Sequence, residues 1–178
     1  REFSTTAVQM GWIAGSFILS SAIFLLPFGR LADIVGRKKI FTWGIALFTL
    51  SAFLIIFSWN IESLIAFRIL QGISGAMIFG TSLAILTSVF APGERGRAMG
   101  INITAVYAGL SGGPVLGGFL TQYLGWRSIF IFLVPVGLIS LYLIFRNIRT
   151  EWTEAEGEKF DWKGSVIYAI SMAAAMYG

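Results

Sequence analysis

Gly29-Arg-Leu-Ala-Asp-Ile-Val-Gly-Arg-Lys-Lys39 is a short, strongly basic stretch between two long apolar runs of this chain. It carries four Lys or Arg residues and one acid, Asp33, so it cannot lie in hydrocarbon and must face water. Loops rich in Lys and Arg remain on the cytoplasmic side of a membrane. This stretch therefore predicts a membrane protein in which residues 29–39 form a cytoplasmic loop.

The overall composition supports a membrane protein. The chain has 178 residues, of which 56% are hydrophobic and 12% charged, and its mean hydropathy is +0.80. Soluble domains carry about 25% charged residues, so lipid must be the solvent for most of this chain. The net charge of +4 does not indicate a nucleic-acid partner, because the basic residues cluster between apolar runs.

Long apolar segments recur along the chain, and each approaches or exceeds the roughly 20 residues that a spanning helix needs. Backbone groups in lipid must be hydrogen-bonded internally, and the pattern does not fit a barrel, so we predict helices. The fold class is all-α, a polytopic membrane bundle. The five complete segments cover residues 10–29, 40–57, 62–90, 98–121 and 128–145, and a sixth begins near Gly164.

The distribution of Lys and Arg predicts the topology. Ten of the 13 basic residues fall in three connections on one side, and the opposite side holds only Arg1 and Arg127. This bias predicts that the 29–39 loop faces the cytoplasm. We expect the protein to lie in the inner or plasma membrane of the cell. The three connections are residues 30–39, 91–97 and 146–163.

The domain organisation follows from the same segments. Residues 1–145 are expected to form an N-terminal bundle of five helices, and residues 146–163 a cytoplasmic linker. Residues 164–178 would begin a further spanning helix. Because the chain starts with Arg1 and stops within an apolar run, we expect a fragment of a longer protein.

Cys and His are both absent, which excludes thiol nucleophiles, Ser-His-Asp triads, disulfides and Cys/His metal sites. No nucleophile–base pair is visible, so we do not expect an enzyme, a metal site or a cofactor. An internal repeat is visible instead. The spacing of Gly, Leu and basic residues from Gly29 to Phe41 recurs from Gly118 to Phe130, which suggests an inverted repeat of hairpins. Chance similarity between two Gly- and Leu-rich hairpins is the alternative.

The 29–39 stretch matches the signature loop of the major facilitator superfamily and departs from it at Ile34, where Arg is usual. Gly36 suits a tight turn that needs a positive φ, and Asp33 can cap a helix N-terminus. In the family such a loop resembles a latch that closes the inward face, with Arg37 paired here to Glu94. The alternative is a basic loop that only sets topology. The matching residues are Gly29, Leu31, Ala32, Asp33, Gly36, Arg37 and Lys38.

A second motif lies inside the third apolar segment. Arg68-Ile-Leu-Gln71-Gly72 resembles the fourth-helix motif of the superfamily, and Arg68 is the only ionisable residue well inside an apolar segment. A charge there costs about 2.5–3.5 kcal/mol on insertion scales, so such residues tend to be functional. The resemblance implies that Arg68 takes part in proton coupling by favouring the charged form of a nearby carboxylate. An Arg bonded to backbone carbonyls, or one snorkelling to the outer face, is the alternative.

A third motif lies in the fourth segment and matches the antiporter motif of the superfamily without departure. Three of its glycines recur every four residues and form a smooth face for close helix approach. Pro114 removes a backbone hydrogen bond and bends the helix. Ordinary small-residue packing is the alternative. The motif residues are Gly100, Gly109, Gly113, Pro114, Gly117 and Gly118.

Together the motifs resemble the drug:proton antiporters of the superfamily, in particular the fourteen-helix branch. On that resemblance the chain covers family helices two to six and the start of seven. The first helix, which in this branch carries a membrane-embedded acid, precedes it. The resemblance implies proton-coupled efflux of a hydrophobic or cationic small molecule by alternating access.

The expected partners are a small-molecule substrate, protons and the lipid bilayer. A monomer is one expectation, and the sequence leaves the oligomeric state open. Two other functions also remain open. One is a facilitator that imports a metabolite, and the other is a scaffold or receptor that kept the fold without transport.

Overall fold

The computed structural model describes residues 7–177, and over that range the chain forms six α-helices and no strand. Arg1, which the charge count assigns to the outer side, lies outside the described residues. The helices are α1 Ala7–Val35, α2 Arg37–Ile56, α3 Ile61–Val89, α4 Arg95–Leu124, α5 Arg127–Asn147 and α6 Trp162–Tyr177.

The first five helices are long and apolar enough to cross a membrane. They contain the five predicted apolar segments except for Phe57 and Phe90, which each lie one residue beyond a helix end, so the prediction of an all-α membrane fold is confirmed. The five helices fall into two classes by length. α1, α3 and α4 have 29, 29 and 30 residues, whereas α2 and α5 have 20 and 21.

The prediction that residues 29–39 form a loop is wrong, because most of them are helical. α1 continues as a helix to Val35, and α2 starts at Arg37, so Gly36 alone separates the two helices. Hydropathy identifies where a chain can leave lipid, and a helix can continue into water with polar side chains on its surface. We call residues 29–39 the hinge segment from here on.

α3 lies at the centre of the bundle, with α1 and α2 packed against it and α5 packed against α2. One buried cluster joins Ala52 and Ile55 of α2 to Leu64 of α3 and Phe130 of α5. Small residues bring these helices close. At Gly44 of α2, a Cβ would lie 2.9 Å from the Cβ of Met77.

A capping box fixes the start of α3. The Asn60 side chain accepts a hydrogen bond from the Ser63 backbone N–H at 2.7 Å, and Ser63 Oγ accepts one from the Asn60 N–H at 3.3 Å. These bonds satisfy two of the free donors at a helix N-terminus. The α3 register is therefore anchored close to Arg68, which follows about two turns later.

Residues 148–161 connect α5 to α6 without regular helix and lie across the hinge segment. α6 then contacts α1, where the Tyr168 hydroxyl donates to the Ala22 carbonyl at 3.3 Å. This connection therefore brings acidic residues late in the chain beside basic residues near its beginning.

Candidate functional site

Arg68 lies between two aromatic rings inside the bundle. Its Cζ is 5.7 Å from the ring centroid of Phe17 on α1 and 5.4 Å from that of Phe130 on α5. Arg68 Nη1 donates to Gln71 Oε1 at 2.9 Å. Cation–π contacts at these distances hold a guanidinium in place, more so when water is excluded. The two polar residues predicted in this motif, Arg68 and Gln71, are therefore in direct contact.

Several polar atoms on α1 and α3 are buried and have no hydrogen-bond partner among the described residues. These include Nε of Arg68, Nε2 of Gln71 and Oγ of Ser16, which precedes Phe17 on α1. Most buried polar atoms in proteins are hydrogen-bonded. The two free donors, Arg68 Nε and Gln71 Nε2, can each bind an acceptor such as a carboxylate.

Gly72 brings α1 and α3 together beside this cluster. A Cβ at Gly72 would overlap Ser20 Oγ and the Phe17 carbonyl oxygen. Ser21 Oγ donates to the Gly72 carbonyl at 2.9 Å across the same contact. Close backbone approach at small residues is how helices pack in lipid, so Gly72 allows the contact that positions Phe17.

The hinge segment centres on Gly36, whose φ of 125° is a conformation that L side chains rarely adopt. The expected positive φ is therefore present. Gly29 and Leu31 lie within α1, where Gly29 faces the backbone of Gly80 and Leu31 packs against a buried cluster that includes Ala32. Lys38 lies in the first turn of α2.

The Arg37 guanidinium is buried and has partners from three parts of the chain. Nε donates to Asp33 Oδ1 at 3.0 Å, and Nη1 donates to Ser88 Oγ at the end of α3, also at 3.0 Å. Nη2 lies 2.7 Å from Glu154 Oε2. A salt bridge to Asp33 at 2.9 Å, one turn earlier in sequence, completes the set.

The expected pairing of Arg37 with Glu94 is not the one that the described residues form. The acid opposite Arg37 is Glu154, because residues 148–161 fold back over the hinge segment, whereas Glu94 is exposed just before α4. Asp33 lies in the last turns of α1, where its carboxylate accepts a hydrogen bond from Arg37.

Sequence reasoning missed three acidic residues that contact the hinge segment. Glu151 Oε1 accepts from the Lys38 backbone N–H at 2.8 Å, Glu154 binds Arg37, and Glu158 binds Arg30. The signal that could have found them is the run of carboxylates at 151, 154 and 158. These acids are opposite in charge to the basic residues of the hinge segment, which the charge count used only to predict topology.

The antiporter-motif residues all lie on α4, with Pro114 inside the helix. α4 packs at the edge of the bundle, and among its described side chains only Ala98 is buried. A Cβ at Gly100, Gly109, Gly113 or Gly118 would meet no atom within 4 Å, and one at Gly117 would meet only Ile129, at 3.9 Å. The smooth face of α4 is thus unoccupied by residues 7–177.

The family follows from comparison of the whole sequence with known proteins. The sequence model of the Major Facilitator Superfamily matches residues 1–178. The chain belongs to the Major Facilitator Superfamily. Members of this superfamily are integral membrane transporters, in agreement with five apolar helices and the motifs on α1, α3 and α4.

Curated relatives within the Major Facilitator Superfamily include resistance and export proteins. The chain is 32% identical to the riboflavin transporter RibZ of Clostridioides difficile, over 94% of this chain and 37% of that protein. It is 30% identical to the tetracenomycin C resistance and export protein of Streptomyces glaucescens, over 100% and 33%. It is 31% identical to multidrug resistance protein 3 of Bacillus subtilis, over 95% and 33%. The chain thus spans about a third of the length of these relatives.

No group of three or more His, Cys, Asp or Glu residues among the described residues could hold a metal ion. An apolar cavity of about 350 Å³ does lie between α1 and α6, and its lining includes Phe24, Phe28 and Trp162. Such a cavity fits an apolar group better than an ion.

Proposed function

We propose that this chain is the N-terminal part of a proton-coupled exporter of hydrophobic or cationic small molecules that works by alternating access. The names of relatives support the class, since they include a resistance and export protein and a multidrug resistance protein. The antiporter motif on α4 and the apolar cavity between α1 and α6 support it further.

The observation that carries the proposal is the environment of Arg68. Its guanidinium is held between Phe17 and Phe130, and its Nε has no partner among the described residues. A buried charge without a counter-charge is expensive, so a carboxylate from another part of the full-length protein would be favoured beside it. Protonation of that carboxylate would weaken its attraction to Arg68 and allow the helices to separate.

The free donor of Gln71 would assist the same exchange. Gln71 is almost fully buried, and Oε1 already accepts from Arg68, which leaves Nε2 as the donor available to an incoming acceptor. An amide donor has no charge, so it would orient a carboxylate and favour its ionised form less than a guanidinium does. Arg68 and Gln71 would therefore act together, the first by charge and the second by position.

Two further elements would open and close the path. The hinge segment would hold one end of the bundle closed through Arg37, with Glu154 in place of the expected Glu94. The unoccupied Gly face of α4, bent at Pro114, would rock against helices that follow the described residues. We place the hinge segment on the cytoplasmic side of the plasma membrane because the Lys and Arg bias favours it.

The division of the chain is proposed on the same grounds. Residues 1–145 would form one bundle, residues 146–163 a cytoplasmic linker, and residues 164–178 the start of a further spanning helix. The fold supports this division, since α5 ends at Asn147 and α6 begins at Trp162.

The full-length protein in proteoliposomes, with an imposed pH gradient and ethidium as a lipophilic cation, tests this function. We expect ethidium to move against its own gradient while the pH gradient lasts, and to stop when nigericin collapses it. Ethidium movement that is indifferent to the pH gradient would refute proton coupling.

A riboflavin carrier is the second candidate, because a riboflavin transporter covers 94% of this chain at 32% identity. The same vesicles with riboflavin in place of ethidium distinguish the two. Riboflavin that only equilibrates down its own gradient would indicate a facilitator. If neither solute moves, and Arg68→Ala leaves the protein's cellular phenotype unchanged, a non-transporting scaffold is the better description.

A further inference from the structure

The segment that follows α5 binds the hinge segment through its backbone. The Arg37 N–H donates to the Trp152 carbonyl at 2.9 Å. The Asp33 carbonyl accepts from the N–H groups of Glu154 and Ala155, at 3.1 and 3.0 Å. Residues 151–158, which we call the strap, therefore satisfy carbonyl and N–H groups that the helix ends at Gly36 leave free.

Three carboxylates of the strap bind the hinge segment, at Lys38, Arg37 and Arg30. Glu151 accepts from the Lys38 N–H in the first turn of α2, where the helix dipole favours a negative charge. Glu154 binds Arg37, and Glu158 binds Arg30. The strap is thus complementary in charge to the hinge segment.

Gly36 is shaped to receive the strap. A Cβ at this position would lie 2.6 Å from both Cδ and Oε1 of Glu151. The absence of a side chain at Gly36 therefore makes room for the Glu151 carboxylate. Ala155 of the strap is only 6% exposed, so the contact excludes water over part of its length.

The charged contacts of the strap lie near water. The side chains of Glu154 and Glu158 are 67% and 59% exposed, and that of Arg30 is 47% exposed. Exposed ion pairs are individually weak and are screened by salt. An attachment made of several weak contacts can detach and reattach, unlike the buried packing of α1 on α3.

The strap also leads directly into α6. α6 begins at Trp162, a few residues after Glu158, and contacts α1 through Tyr168 and Ala22. Any movement of the helices after the linker relative to α1–α5 must therefore pull on the strap. The hinge segment and the following helices are mechanically connected through these residues.

We propose that residues 151–158 act as a releasable strap, which fastens the hinge segment when this end of the bundle is closed and detaches when it opens. The proposal rests on the proposed transport function and adds a device to it. The lock on this side is then a segment of the connection between bundles, held by Glu151, Glu154 and Glu158.

Docking of the strap is measured by thiol labelling in the full-length protein, since residues 1–178 contain no Cys. Any Cys outside this range is first replaced by Ser. Ala155→Cys places a thiol in the buried part of the strap, and Glu156→Cys places one at an exposed neighbour. We expect the first thiol to react with a maleimide about tenfold more slowly than the second, because it reacts only when the strap opens.

Glu154→Gln tests which contacts hold the strap. Added to Ala155→Cys, it should raise the labelling rate toward that of the exposed thiol, as should 1 M salt. Glu156→Gln is the matched control, because Glu156 is exposed and its carboxylate accepts a hydrogen bond from Thr153 at 3.4 Å, not from the hinge segment. Equal labelling of the two thiols, or a rate that Glu154→Gln does not change, would overturn the docking.

Release is tested by locking the strap in place. Arg30→Cys with Glu158→Cys allows a short bifunctional thiol reagent to join two residues that are in contact. We expect the cross-link to reduce ethidium transport about tenfold or more, and dithiothreitol cleavage of a disulfide-containing reagent to restore it. Full transport by the cross-linked protein would overturn release as part of the cycle.

The failure of this proposal is distinguishable from failure of the proposed function. If the unmodified protein does not move ethidium in response to a pH gradient, the transport proposal fails for that class of solute. The labelling rates do not depend on transport, so the strap is then judged by them alone.

Discussion

Gly36 and Gly125 occupy equivalent positions in two helical hairpins, 89 residues apart, and both have a positive φ. Gly36 joins α1 to α2 with φ 125°, and Gly125 follows α4 with φ 81°. Arg127 lies against the far end of α2, where it donates to the carbonyls of Ile56 and Ser58. The two glycines therefore lie at opposite ends of the bundle, as an inverted repeat requires.

Gly36→Ala should lower the free energy of unfolding by about 1–3 kcal/mol, because an L residue such as Ala is strained at the φ of 125° that Gly36 adopts. An SDS titration of the full-length protein in mixed micelles measures this. Gly93→Ala is the matched control, since a Cβ there meets nothing within 4 Å. Adding Glu151→Ala should recover only part of the loss, because the backbone strain remains. Unchanged stability of Gly36→Ala would contradict the hinge geometry.

Gly72→Ala should separate α1 from α3 and cost about 1–3 kcal/mol of stability, since the new methyl overlaps the Phe17 backbone. Gly109→Ala serves as its control within α4, where the same methyl has open space and helix propensity should add up to about 1 kcal/mol. The two melting temperatures in detergent should move in opposite directions. A shift of the same sign and size in both would show that α1 and α3 do not meet at Gly72.

Arg127→Ala should destabilise the bundle by about 2 kcal/mol, because it removes charged hydrogen bonds to the Ile56 and Ser58 carbonyls. It also removes a cation–π contact in which Cζ lies 4.4 Å from the Trp126 ring centroid. Arg146→Ala, which removes an exposed contact to Tyr142 within α5, should change stability by less than about 0.5 kcal/mol. SDS titration measures the free energy of unfolding of both variants. Equal losses of stability would argue against the contact between Arg127 of α5 and the end of α2.

Arg68→Lys should reduce gradient-driven transport roughly tenfold or more while the protein still folds. A Lys ammonium cannot bridge Phe17, Phe130 and Gln71 in the way that a planar guanidinium does. Exchange of labelled for unlabelled ethidium, measured without a pH gradient, separates lost coupling from lost binding. Arg97→Lys, at an exposed position, is the control. If both variants retain full gradient-driven transport, Arg68 has no role in coupling.

Gly113→Leu should abolish most transport without lowering the stability of the described bundle. The Gly face of α4 meets no described residue at this position, so added bulk can clash only with helices beyond the linker. Ser111→Leu adds the same side chain to the opposite side of α4 at an exposed position. Transport should fall about tenfold more in the first variant than in the second. Similar activity of the two would assign the motif to packing alone.

The sequence predicts the helices of this fold well, because lipid burial imposes long apolar runs that are visible residue by residue. It predicts the helix ends poorly. Arg30 and Asp33 stop the run of apolar residues, but both are compatible with a helix that continues into water to Val35. Hydropathy shows where the apolar run ends, but it carries no information about where the helix ends.

The pairing at the hinge segment shows a second limit. Glu94 was the expected partner of Arg37 because it is the acid nearest to the end of the third segment in sequence. The actual acid, Glu154, is more than a hundred residues from Arg37 and arrives only because residues 148–161 fold back. The grouping of Arg68 with Gln71 is easier to predict, because two residues three positions apart on one helix lie on the same face.

The unequal helix lengths connect the hinge segment to the thickness of the surrounding bilayer. α2, with 20 residues, matches the roughly 30 Å of a hydrocarbon core, whereas the 29 residues of α1 extend about 13 Å further. α1 must therefore tilt or project, and a thinner membrane leaves more of its basic end outside lipid. Hydrophobic mismatch thus sets the distance of Gly36 from the membrane surface. We therefore expect the acyl-chain length of the surrounding lipids to affect the proposed opening and closing at this end of the bundle.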